Sequence, residues 1–302
     1  MWIADNWKDY EVLDAADGEK LERWGDYLLV RPDPQVIWST PRSHNGWTRR
    51  NGHYHRSAKG GGEWEFFRLP DEWSISYHIK SISARNAQEG RLTFRLKPFS
   101  FKHTGLFPEQ AVNWEWFSSI LSKTGKQTDR PLKVLNLFAY TGGATLAAAA
   151  AGANVTHVDA SKGMVSWARE NAVSSGLKDA PIRWLVDDCV KFVERELRRG
   201  SRYDGIIMDP PSYGRGPKGE VWKIEDHVWP LIRLASDLLS RDALFFLINS
   251  YTTGLQPAVL SYMLNAAVAK SRGGHVEAEE IGLPVTESRL ILPCGASGRW
   301  QA

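Results

Sequence analysis

Residues 136–152 read NLFAYTGGATLAAAAAG and change character twice. The stretch opens apolar and extended, passes through Tyr140-Thr141-Gly142-Gly143, and ends in strong helix formers. The reading is a strand at Lys133–Phe138, a turn at Ala139–Gly143 and a helix at Ala144–Ala151. A glycine turn between strand and helix frees backbone N–H groups and lets a ligand approach the main chain. A Gly-Gly pair can also serve only to make a tight turn.

Strand and helix alternate from there on. Strands are predicted at KVLNLF, NVTHVD, IRWLV, YDGIIMD and ALFFLIN. Between them, SKGMVSWARENAVSS, CVKFVERELRRG and DHVWPLIRLASDLLS carry apolar residues at helical spacing, and a further helix is predicted near Pro257–Lys270. Such alternation predicts a doubly wound, Rossmann-like α/β fold with a mostly parallel sheet. GHVEAEEIGLP and SRLILPCG are separated by only a short turn, so one final strand is expected to run antiparallel.

The first 115 residues differ. Aromatic and basic residues are interleaved with turn residues, and stretches such as WSISYHIK and RLTFRLKPFS alternate like short strands. SAKGGGEW (Ser57–Trp64) reads as a hairpin tip or loop. PEQAVNWEWFSSILSK reads as a helix, followed by the polar linker TGKQTDRP. The division expected is a small β-rich unit at 1–115, assigned to substrate recognition, and a cofactor-binding unit at 116–302.

Composition narrows the class. With 42% hydrophobic and 24% charged residues the chain is globular rather than disordered. A formal charge of +3 permits a nucleic-acid partner without requiring one. Two cysteines are too few for a disulfide framework or a zinc cluster. The start lacks the pattern of a signal peptide, and the alanine run ending at Ala151 is far shorter than the ~20 residues that cross a bilayer. A soluble cytoplasmic protein without membrane contact or metal is expected.

Three strand ends offer contacts for an adenosine-containing cofactor. Asp159, at the tip of the second strand, can accept both hydroxyls of a ribose. Asp187 and Asp188 end the third strand, within reach of an adenine edge. The dinucleotide turn G-x-G-x-x-G is absent, so NAD fits poorly. The fourth strand ends in Asp209-Pro210-Pro211-Ser212-Tyr213. Two prolines make a rigid exit poor in N–H donors, suited to holding an amine, and Tyr213 offers a face for stacking a base. The alternative reading is that Pro-Pro serves only to end the strand.

With KHTGLFPEQ, VLNLFAYTGGATLAAAAAGANVTHVDASKGMVSWARENA, VDDCVKF and DGIIMDPPSYG together, the chain from about Lys102 to Trp300 resembles a class I S-adenosylmethionine-dependent methyltransferase. Within that class it is similar to bacterial ribosomal RNA methyltransferases of the RlmI and RlmK type. The resemblance implies a seven-stranded sheet with a reversed last strand. It implies a cofactor site of Thr104, Gly105, Phe138, Tyr140, Thr141, Gly142, Gly143, Asp159, Ala160, Ser161, Asp188, Cys189 and Asp209. It implies a substrate side of Asp209, Pro210, Pro211 and Tyr213, and RNA as partner.

Two departures qualify that resemblance. Relatives that methylate cytosine C5 carry a cysteine after the fifth strand, whereas this chain reads INSYTTG there, with Asn249, Ser250 and Tyr251. Cys189 reads as packing, and Cys294 as a small hydrophobe near the end of the last strand. Transfer to a base nitrogen is therefore expected. Amino methyltransferases usually read D-P-P-aromatic, and here Ser212 intervenes. Methylation of a protein or small molecule, and a non-catalytic adenosine- or NAD-binding module, remain as alternatives. His44–Arg56 (HNGWTRRNGHYHR) is open to three readings: a solvated loop, an RNA backbone contact or a metal site.

Overall fold

The structure is a computed structural model describing residues 1–57, 61–82, 90–99, 102–215 and 221–302, without the side chain of residue 215. The first part is β-rich. Strand β1 (Trp2–Ile3) is followed by β2 (Tyr10–Ala16), β3 (Glu19–Trp24), β4 (Tyr27–Pro32), β5 (Gly52–Arg56) and β6 (Gly62–Phe66), of which β2 to β6 form one sheet in chain order. Strands β7 (Trp73–His78) and β8 (Arg91–Leu96) form a separate antiparallel hairpin. Of SAKGGGEW, residues 58–60 lie outside the described residues, and Gly62–Trp64 begins β6.

Helix α1 (Ala111–Gly125) joins this part to the alternating units, and position 115 falls inside it. Its Trp114 ring lies 5.7 Å from Tyr77 and 5.4 Å from Phe94, while Phe117 stacks 5.9 Å from Phe245 of the large sheet. Phe117 is fully buried, so truncation to alanine should cost about 3–5 kcal/mol.

Then come β9 (Lys133–Leu137), α2 (Gly143–Ala150), β10 (Asn154–Asp159), α3 (Lys162–Ser174), β11 (Ile182–Val186), α4 (Cys189–Arg198) and β12 (Gly205–Met208). A small hairpin, β13 (Tyr213–Arg215) and β14 (Val221–Lys223), leads to α5 (Ile224–Ser236) and β15 (Phe245–Ser250). Helix α6 (Pro257–Leu264) runs on through a wider π-type turn to Arg272, before β16 (His275–Pro284) and β17 (Ile291–Gln301). All but the first residue of β9 and every residue of β12 and β15 are buried, as expected for central parallel strands covered on both faces.

The sheet order is β1-β16-β17-β15-β12-β9-β10-β11. β17 runs antiparallel to both neighbours, as predicted for the reversed last strand. The sheet has eight strands rather than seven. The addition is β1, which pairs in parallel with β16 through Trp2 and Ile3 and so caps an otherwise free edge. Cys294 lies near the start of β17, not near the end of the last strand, because that strand continues to Gln301. No helix among the described residues is long and apolar enough to cross a membrane.

Candidate active site

The carboxyl ends of β9, β10 and β12 and the start of α4 surround a cleft of about 390 Å³, the place where ligands bind open parallel sheets. Phe138, Tyr140, Asp159, Ala160, Ser161, Asp188, Cys189, Asp209, Pro210 and Pro211 line it. A groove of about 530 Å³ at the amino ends of the strands, around Lys133, Asn154 and Arg183, has none of these strand-end carboxylates.

The turn after β9 is strained at two non-glycine residues that face the cleft. Phe138 has φ +55° and Tyr140 φ +50°, in the left-handed region, which favours glycine. Asp159 holds that turn: Oδ2 accepts the Tyr140 amide and Oδ1 the Ser161 amide, each at 2.8 Å. Burial pushes the Asp159 carboxyl upward, and the two amides offset part of the shift. The Tyr140 hydroxyl is buried with no hydrogen-bond partner among the described residues.

The paired glycine packs rather than lines this cleft. Gly142 has φ +89° and precedes α2 as its cap, and a Cβ there would lie 3.0 Å from that of Ala168. A Cβ on Gly143 would meet the Trp114 ring at 2.7 Å. The pair therefore lets α2 start sharply and lie close against α1 and α3. Thr141 donates to the Gly105 carbonyl at 2.6 Å. A Cβ on Gly105 would lie 2.3 Å from the Trp167 ring, and Thr104 is wholly buried. Thr104, Gly105 and Gly142 thus shape the turn from behind, while Thr141 and Gly143 line a small adjoining cavity with Phe138, Tyr140 and Asp209.

Asp188 caps α4, its Oδ1 accepting the Lys191 amide at 2.9 Å. Cys189 is buried, and its Sγ accepts the Phe138 amide at 3.3 Å. Burial, and then the carboxylates of Asp159, Asp188 and Asp187, push its thiol far above the usual range. Burial raises the Cys294 thiol as well. Neither cysteine has the lowered pKa that a nucleophilic thiolate requires.

Asp209 stands at the opposite wall. Burial, reinforced by the carboxylate of Glu109, pushes it up to about 7. Glu109 is itself raised by burial. Beneath them a buried amide network reaches from α1 to β15 and β17: Gln110 Nε2 donates to the Tyr251 hydroxyl at 2.7 Å, and Asn249 Nδ2 to Gln110 Oε1 at 3.0 Å. Arg299 Nη2 donates to Asn113 Oδ1 at 2.7 Å. His103 is lowered to about 4 by burial and then by the charges of Arg31, Lys102 and Lys20, so it is neutral at pH 7.

Tyr213 does not line the cleft. It is 52% exposed, and the aromatic wall next to Pro211 is Trp222 of β14. Trp222 Nε1 donates to the Pro211 carbonyl at 2.7 Å, and its ring lies 5.1 Å from Phe138. The inserted Ser212, whose Oγ is 2.5 Å from that of Thr252, sits between Pro211 and the residue expected to stack. His103, Phe107, Met164, Trp222 and Tyr251 line the cleft but were absent from the sequence-derived set.

A doubly wound sheet with one reversed strand, and carboxylates at the ends of adjacent strands, defines a class of cofactor-binding enzyme folds. Residues 70–271 match the model of the S-adenosylmethionine-dependent methyltransferase family, and the chain belongs to that family. It is similar to a solved S-adenosylmethionine-dependent methyltransferase from Agrobacterium tumefaciens, with 37% identity and a TM-score of 0.86 over 99% of this chain and 93% of that one. It is 35% identical over 143 residues to the ribosomal RNA large subunit methyltransferase K/L of Pseudoalteromonas atlantica, and 28% over 192 residues to that of Legionella pneumophila. These stretches cover 46% and 63% of this chain, and only 19% and 25% of the two relatives.

The residues present fit the family's cofactor. The cleft combines apolar walls, two carboxylates at adjoining strand ends and a Tyr140 hydroxyl without a partner among the described residues. That donor set suits a nucleoside with hydroxyls and an amine.

Proposed function

We propose that this protein transfers a methyl group from S-adenosylmethionine to a nitrogen of an RNA base, in ribosomal RNA. S-Adenosylmethionine supplies an electrophilic methyl together with its own leaving group. Asp159 would take the ribose hydroxyls, Asp188 the adenine edge, and the turn from Tyr140 to Gly143 the methionine end. The chain's further task is to aim the acceptor's lone pair along the methyl–sulfur axis and hold its hydrogens.

The observation that carries this reading is Asp209, a carboxyl lining the cleft on a proline-fixed strand end, which burial and Glu109 push up to about 7. Its oxygens can hold an amino group while the nitrogen lone pair forms the new N–C bond and the methyl–sulfur bond breaks. The displaced N–H proton passes to Asp209 or to solvent. Attack by C5 of cytosine would need a thiolate to activate the ring, and both thiols are shifted the wrong way. In this reading Trp222, beside Pro211, would stack the base in the role first given to Tyr213. An RNA base inside a helix must be flipped out, or lie already unpaired, to reach this cleft.

The names of the ribosomal RNA methyltransferase relatives support RNA as the substrate. We assign substrate recognition to the β-rich region before about residue 115, and a cytoplasmic location to the protein. The test is transfer of tritiated methyl into total RNA, total protein and small-molecule fractions of a cell extract. Label in RNA alone is expected; label in protein or small molecules alone would transfer the same chemistry to another substrate. No label anywhere, with calorimetry still showing cofactor binding, would leave a non-catalytic module.

A further inference from the structure

The segment His44–Arg56 folds so that its last two histidines share a face of β5. His53 and His55 are two residues apart on a strand and point the same way, with ring centroids 3.9 Å apart. Glu65 stands opposite His53 on β6, and its Oε2 is 2.9 Å from His55 Nε2. His53, His55 and Glu65 each offer one ligand atom, and these three atoms lie within 4.8 Å of one another.

A fourth residue orients the first. Glu19 Oε1 is 2.6 Å from His53 Nε2, and Glu19 Oε2 accepts from Arg42 at 2.8 Å. With Nε2 of the neutral ring donating to Glu19, the lone pair is left on Nδ1. That Nδ1 is buried and has no hydrogen-bond partner among the described residues. One ring nitrogen fixed by a carboxylate and the other left bare is how proteins prepare a metal-binding histidine.

We propose that His53, His55 and Glu65 form a three-ligand site for a divalent transition-metal ion of the Zn²⁺ type, with Glu19 as a positioning residue. Two imidazoles and a carboxylate suit Zn²⁺ rather than Mg²⁺ or Ca²⁺, which prefer all-oxygen shells. Tetrahedral bonds of this length put ligand atoms about 3.3 Å apart. Rotamer changes of His55 and Glu65, both exposed, can close the remaining gap. The ion replaces the His55–Glu65 hydrogen bond and clamps β6, the edge strand of the first sheet, to β5.

The test is titration of the metal-stripped full-length protein with ZnCl₂, followed by Co²⁺ as a spectroscopic probe. One equivalent should bind saturably at concentrations well below about 1 mM, and Co²⁺ should give the intense visible absorption of a tetrahedral site. His55→Ala and Glu65→Gln should each weaken binding at least tenfold. Glu19→Gln keeps all three ligands and should weaken it ten- to a hundredfold. Unchanged circular dichroism and unchanged S-adenosylmethionine affinity would show that the variants fold. Absence of saturable binding by the wild type, or equal binding by the wild type and all three variants, would overturn the proposal.

Discussion

Asp159 accepts the backbone amide of Tyr140 at 2.8 Å, tying the end of β10 to the strained turn after β9. One carboxylate thereby fixes the cleft's most unusual backbone and presents its remaining lone pairs to the space where a ribose would lie. Asp159→Ala should weaken S-adenosylmethionine binding by roughly 1.5–3 kcal/mol, the range for hydrogen bonds to a charged group. Calorimetry on the folded variant checks this, and unchanged affinity would remove the ribose role.

Tyr140→Phe separates folding from binding. The hydroxyl is buried without a partner among the described residues, so its removal should leave the free protein as stable or up to about 1 kcal/mol more stable. Cofactor affinity should fall severalfold if the hydroxyl finds its partner there. Thermal melts with and without cofactor read both effects, and loss of stability in the free variant would argue against an unsatisfied hydroxyl.

The raised carboxyl of Asp209 gives a pH signature. Its folded value is about 7 against 3.8 for the free group, so the native state binds the proton more tightly than the unfolded chain. Its contribution to stability is present below pH 4 and is lost as the pH rises from there through 7. Asp209→Asn should therefore exceed the wild type in stability at pH 8, with the difference closing by pH 4. Turnover needs the ionised form and should rise through pH 7. Glu109→Gln removes a neighbouring negative charge and should move that rise to lower pH, which a pH profile of kcat would show.

The cysteines should be dispensable. A Cys189→Ser, Cys294→Ser double variant is expected to keep activity within about tenfold, or 1.4 kcal/mol in barrier. A thousandfold loss in a folded, cofactor-binding double variant would restore a covalent route.

RNA affinity should fall with salt, and charge reversal at Arg49 and Arg56 should lower it further. Arg50 is left out of this pair. It donates to the Trp47 carbonyl at 2.7 Å and lies 5.0 Å from the Phe67 ring centre, so reversing it would disturb packing. Filter binding at two salt concentrations, with affinity unchanged in the double variant, would remove this loop from the interface.

The doubly wound part was legible because each unit repeats a local signal: a short apolar strand, a turn and an amphipathic helix, as in Lys133–Ala150. The reversed last strand was legible from the short connection between β16 and β17. The eighth strand was not, because Trp2 and Ile3 carry no pattern of their own and are set by pairing with residues 281 and 282. In the site, residues just after strands were found because strand ends converge by topology. Trp222 was missed because it reaches the cleft through tertiary packing from a segment with no motif, whereas Tyr251 and Glu109 stood in quoted stretches, INSYTTG and KHTGLFPEQ, that were read for a cysteine and for the resemblance rather than for these side chains. At Gly142 and Gly143 the turn was legible, but their second role was not: each also lets α2 pack close, against Ala168 and Trp114.

The most direct measurement is nucleoside mass spectrometry of RNA incubated with the protein and methyl-deuterated S-adenosylmethionine, with Asp209→Ala in parallel. The expected result is a labelled nucleoside methylated on a base nitrogen with the wild type and none with Asp209→Ala, which should still bind cofactor. A label on a base carbon, or undiminished nitrogen methylation by Asp209→Ala, would contradict nitrogen transfer governed by Asp209.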